Sequence, residues 1–134
     1  MNRIIAAVAA LVLFAAVSVR VFSAAPNDSM RPPGEPGLSI KLIDPDRNAH
    51  QRTATLSVQV REVQLVDPAS AKETAVRGQG HLHYQVDSGP IIATTATKLS
   101  FHELTPGLHS FRVNLAGNDH LPLGLSQTVS VTIP

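Results

Sequence analysis

The sequence predicts an all-β domain, an antiparallel sandwich of about seven strands preceded by an N-terminal export helix. Three observations carry this. Apolar residues after position 37 recur with a period of two, no stretch there sustains helical spacing, and an apolar run of sixteen residues opens the chain. The 134 residues leave room for one domain behind a leader, not two. A net charge of +1 gives no basic footprint for nucleic acid, so no nucleic-acid partner is expected. Aromatic residues make up 4% of the chain, too few for a stacking platform for sugars or bases. The absence of cysteine excludes disulfides, thiolate catalysis, Cys-ligated zinc and lipoprotein acylation.

Residues 1–25 read as a signal peptide. Arg3 supplies the positive start, residues 4–19 are apolar except for Ser18, and Ser23, Ala24 and Ala25 form a small-residue exit. A spanning helix needs about 20 apolar residues, so this run favours export with removal near Ala24 or Ala25. Arg20 close to the cut and Pro26 just after it keep an uncleaved anchor open as the alternative. Either way the rest of the chain is expected in the periplasm or secreted, touching membrane only through the N-terminal segment if that is retained. Residues 26–37, PNDSMRPPGEPG, hold four prolines and two glycines and read as a disordered spacer.

Residues 38–134 form the sandwich. Leu38, Ile40 and Leu42 alternate with Ser39 and Lys41; Leu56, Val58 and Val60 alternate with Thr55, Ser57 and Gln59. The same alternation places Leu82, Tyr84 and Val86 opposite His81, His83 and Gln85, then Phe111, Val113 and Leu115, then Val129, Val131 and Ile133. Five such segments bounded by turn residues read as one-sided antiparallel strands, and weaker strands are expected at 91–95 and 97–102. The count is that of an immunoglobulin- or fibronectin-like sandwich. In residues 54–66 the apolar phase moves from even positions to Val63 and Leu65, which requires a bulge or break near Arg61–Glu62. A strand passing from one sheet to the other would use that device. Residues 67–80 read as a long surface loop beside His81.

The segments GHLHYQVD (80–87), LTPGLHSFRVNL (104–115) and NDHLPL (118–123), with QLVDP (64–68) upstream, share an ordered pattern. Together they resemble an uncharacterised group of exported bacterial immunoglobulin-like domains carrying Gly-His-x-His-Tyr, Pro-Gly-x-His and Asn-Asp-His-x-Pro-Leu motifs. The resemblance spans residues 38–134. It implies the sandwich fold and no known activity.

The histidines carry what chemistry there is. His81 and His83, at i and i+2 on a strand, leave the same outward face with Cα atoms about 6.5–7 Å apart. Two imidazoles so placed can ligate one copper or zinc ion, copper being preferred on intrinsic affinity for nitrogen. The plainer reading is two solvent-facing polar residues opposite Leu82 and Tyr84. His120, with Asp119 as second choice, supplies a third ligand if its hairpin lies over that face; otherwise it is an exposed turn residue beside Asn118 and Asp119, which tolerate left-handed backbone. His109 shares the parity of Phe111 and is expected to point inward and hydrogen-bond backbone at a strand corner, like the tyrosine corner of such folds. His102 and His50 read as surface residues. No Gly-x-Ser-x-Gly elbow, phosphate-binding glycine motif or framed carboxylate pair occurs, so no enzyme and no catalytic residue are expected. Two readings stand: an exported binding module holding copper or zinc through His81, His83 and His120, or a structural or protein-interaction module of the cell envelope, with an envelope protein as partner and no metal site.

Overall fold

The computed structural model describes residues 22–23, 33–70 and 74–134. The expected export segment lies outside these residues apart from Phe22–Ser23, and so do spacer residues 26–32. The described residues form two sheets. The larger runs β1 (Phe22–Ser23), β9 (Pro122–Ile133), β8 (Gly107–Gly117), β5 (Gln79–Val86) and β4 (Gln64–Leu65), with β6 (Ile91–Thr94) also paired to β5. The smaller runs β2 (Gly37–Ile43), β3 (Ala54–Arg61) and β7 (Lys98–Phe101). All pairings are antiparallel except the short β4–β5 pair.

Each alternating segment became a strand because one face could be buried against the other sheet. Leu38, Ile40, Leu56 and Val58 from the smaller sheet join Leu82, Tyr84, Phe111, Val113, Leu115, Val129, Val131 and Ile133 from the larger in one buried cluster. The register aligns these residues in rows: Leu82 opposite Leu115 opposite Leu125, and Ile40 opposite Val58. Phe101 and Phe111 close one side, with ring centroids 5.3 Å apart. Tyr84 is buried and donates its hydroxyl to the Ala96 carbonyl at 2.6 Å; desolvation pushes the phenol pKa up to about 12.

The phase change at Arg61–Glu62 is a crossing between sheets. β3 pairs within the smaller sheet, Glu62 takes a left-handed turn (φ 58°), and β4 lies parallel to β5 in the larger sheet with Gln64 opposite Gln79. Two short helical segments depart from the all-strand expectation: a single 3-10 turn at Pro68–Ser70, and a helix, α1, at Pro45–His50, so His50 ends a helix instead of sitting in a plain turn. Pro45 fits its first turn, Ala49 is fully buried, and the Asn48 side-chain amide donates to the Ile43 carbonyl at 2.7 Å. Six residues are too few to display a helical period. Among the described residues no helix is long and apolar enough to cross a membrane.

The β8–β9 hairpin positions the site. Its register shifts between Leu115, opposite Leu125, and Ala116, opposite Pro122, so β9 carries an irregularity at Leu123–Gly124 with Gly124 at φ 75°. The tip is held by the Gly117 N–H donating to the Leu121 carbonyl and the Leu121 N–H donating to Asp119 Oδ1. The left-handed residue there is His120 (φ 65°), not Asn118 or Asp119 as their turn preference suggested.

Candidate metal centre

His81 lies on β5 opposite Ala116 of β8, and His83 lies opposite Asn114 on one side and Ala93 of β6 on the other. The period-two reading put both rings on the outer face, and the alternation with buried Leu82 and Tyr84 agrees. The expectation that this face is open to solvent does not hold for His81, which is fully buried. The neighbouring imidazoles and the hairpin tip cover it. His81 and His120 rings meet edge-on with centroids 4.6 Å apart, His81 and His83 are 4.8 Å apart, and His83 and His120 stack at 6.0 Å.

Small neighbours make this approach possible. Ala116 beside His81 and Ala93 beside His83 leave the space above the strands to the imidazoles. Gly80 allows β5 to press against β8 at the same end, because a Cβ there would lie 2.2 Å from the Ala116 carbonyl oxygen. Asn118 is buried, and its Oδ1 accepts the Val76 N–H, pinning the segment before β5 to the hairpin tip.

The three histidines offer one ligand nitrogen each, all within 4.8 Å of one another, with burial graded from enclosed His81 through half-buried His83 to exposed His120. The Nε2 atoms of His81 and His83 are 2.9 Å apart, so one ring donates a proton to the other. Desolvation lowers the His81 pKa, and the nearby His83 and His120 lower it further; desolvation and His120 do the same for His83. Rings held in the neutral form keep nitrogen lone pairs available to a cation. His81 Nδ1 is buried without a hydrogen-bond partner, so the ring is oriented by packing and by its Nε2 contact with His83. Asp119 is not part of the group; its carboxylate caps the tip through Leu121.

His109 belongs elsewhere. It is buried at the start of β8 as expected, with Nε2 2.8 Å from the Thr105 carbonyl and Nδ1 2.9 Å from Asp87 Oδ2. Asp87 had no signal beyond its place in an Asp-Ser-Gly-Pro turn; the structure makes it the corner's second half, its Oδ1 also accepting the Ser110 N–H. His102 and His50 are exposed. No family model matches the chain, and neither does any curated protein or solved structure.

Proposed function

We propose that the chain is a small exported binding module of the cell envelope that holds a copper or zinc ion through His81, His83 and His120. One observation carries the reading: three imidazoles from two separate elements bring their ligand nitrogens within 4.8 Å of one another. Three nitrogens at this spacing can close on an ion with bonds of about 2.0–2.1 Å after a small movement of the exposed ligand. The positive start and apolar run of residues 3–19 support export. The strand order β2-β3-β7 facing β6-β5-β8-β9 supports an immunoglobulin- or fibronectin-like sandwich. The sequence favours binding over catalysis, since it carries no Gly-x-Ser-x-Gly elbow and no phosphate-binding glycine motif.

Calorimetric titration of copper and of zinc into the purified chain tests the reading. One ion should bind per chain, and a His81→Ala/His83→Ala variant should lose at least about a hundredfold in affinity. Equal affinity in both proteins, or no binding in either, ends the metal reading. An interaction module then stands in its place, favoured by the exposed Ile91 and Ile92 on β6, which pairs only with β5 among the described strands.

A further inference from the structure

His120 is the member of the histidine group that does not sit on β5, so its place there depends on where the β8–β9 hairpin tip lies relative to that strand. Backbone pairing between β5 and β8 ends at Gly80 opposite Gly117. Beyond that pair the two diverge. The segment before β5 turns toward β4, with the Gly78 carbonyl accepting the Gln64 N–H, while residues 118–121 form the tip. Among the described residues one hydrogen bond then joins the two, from the Val76 N–H to Asn118 Oδ1.

Asn118 is 2% exposed, and its Nδ2 is buried without a partner, so Oδ1 alone makes its side-chain tie. An unpaired buried donor costs free energy, and the bond to Val76 is the contribution that offsets it. On one side of this bond, Val76 opens a turn. The Gln79 N–H donates to the Val76 carbonyl, Gly78 takes φ 77°, and Arg77 stands exposed at the apex. On the other side, the tip is a hydrogen-bonded unit: the His120 N–H donates to the Gly117 carbonyl and the Gly117 N–H to the Leu121 carbonyl. His120 itself holds a left-handed backbone (φ 65°), which a non-glycine residue keeps only where its surroundings impose it. Displacing Asn118 therefore shifts the tip and takes the His120 ring away from His81, whose centroid is 4.6 Å from its own.

We propose that Asn118 is the positioning residue of the metal centre, coupling the segment before β5 to the ion through His120, an inference that rests on the metal reading above. The coupling is reciprocal: a clamped segment holds His120 ready, and an ion that engages His120 holds the clamp closed. Occupancy of the centre is thereby carried to the exposed turn at Arg77.

Metal affinity across a double-mutant cycle and amide hydrogen exchange at Val76 test this. Divalent copper, or zinc if that is the ion bound, is titrated into wild type, Asn118→Ala, His120→Ala and the double variant. Asn118→Ala should weaken binding about fivefold or more in the otherwise wild-type chain and leave affinity unchanged where His120 is already absent. Exchange is read by mass spectrometry on the peptide containing Val76. Saturating ion should slow it about fivefold or more in the wild type and leave it unchanged in His120→Ala. A merely structural role for Asn118 would instead weaken binding by the same factor with and without His120. That result overturns the inference while the metal reading stands, and so does exchange that the ion leaves unchanged in the wild type or slows equally in His120→Ala. Should Asn118→Ala fail to fold, the exchange comparison decides alone. Failure of the wild type to bind either ion overturns both.

Discussion

His109 faces two acceptors at once, the Thr105 carbonyl and the Asp87 carboxylate. Only a ring protonated on both nitrogens satisfies both, so the folded chain favours the imidazolium form of this buried residue. Its burial alone would lower its pKa, but the Thr105 carbonyl and Asp87 outweigh this and hold it above the usual histidine value. Desolvation pushes Asp87 up, and the Ser110 N–H and His109 overcome that and hold it below the usual carboxylate value. The signs give a window. The His109 contribution is complete below the unfolded value of about 6.5 and fades as pH rises through its raised folded value. The Asp87 contribution is complete above the unfolded value of about 3.9 and fades as pH falls through its lowered folded value. The pair is therefore strongest in mildly acidic solution. His109→Ala should lose about 1–3 kcal/mol in urea unfolding at pH 5.5 and less at pH 8, because the wild type has by then shed part of the interaction. An equal loss at both values would mean the ring acts by packing alone. Parity with Phe111 made the inward direction of His109 legible in the sequence. Its partner was not, because Asp87 sits 22 residues away in the turn after β5.

At the scale of elements, the site depends on how closely β5 lies against β8. Gly80 is opposite Gly117, and its missing Cβ gives the Ala116 carbonyl room. Gly80→Ala would force backbone against backbone, since the obstructing atom belongs to a strand and not to a flexible side chain. We expect a loss of about 1–3 kcal/mol in stability. Because His81 is the next residue, copper affinity should fall with it even though no ligand is altered. A variant with unchanged unfolding midpoint and unchanged affinity would show that the strands can separate here without consequence. The phase change alone required a bulge or break near Arg61–Glu62, because a strand cannot switch its buried face without an added residue; the pairing of β3 and β4 in different sheets makes it a crossing. The hairpin tip was not: its register shift and left-handed His120 arise from pairing between strands, and the local sequence Asn-Asp-His specifies only that a turn occurs.

For the whole molecule, the proposed metal binding would be linked to folding. An ion that binds only the folded chain stabilises it by about 2.7 kcal/mol when present at a hundred times its dissociation constant. Thermal unfolding followed by circular dichroism should therefore show a strand-dominated spectrum whose midpoint rises with added copper. The His81→Ala/His83→Ala variant should show no rise. A rise of the same size in the variant would place binding elsewhere, on His50, His102 or the chain termini. The export proposal is tested separately by intact mass of the protein recovered from its native host. A mass beginning at or near Ala24 or Ala25 is expected, and a full-length mass in the membrane fraction would mean a retained anchor.

The sequence by itself determined the strand class, the position of most strands, the irregularity at Arg61–Glu62 and the common face of His81 and His83. These follow from the period of two, which is a local property: each side chain's face is fixed by its neighbours along the chain. The short helix at Pro45–His50 escaped because one turn and a half has no period to read. Only the tertiary structure decided that His81 is enclosed, that His120 reaches it and Asp119 does not, and that Asp87 faces His109. The contacts of His120 with His81 and of Asp87 with His109 join residues more than twenty positions apart, set by the pairing of β5 with β8 and of β8 with β9. Face is written in the pattern of a single strand, whereas distance across strands is fixed only when the register forms.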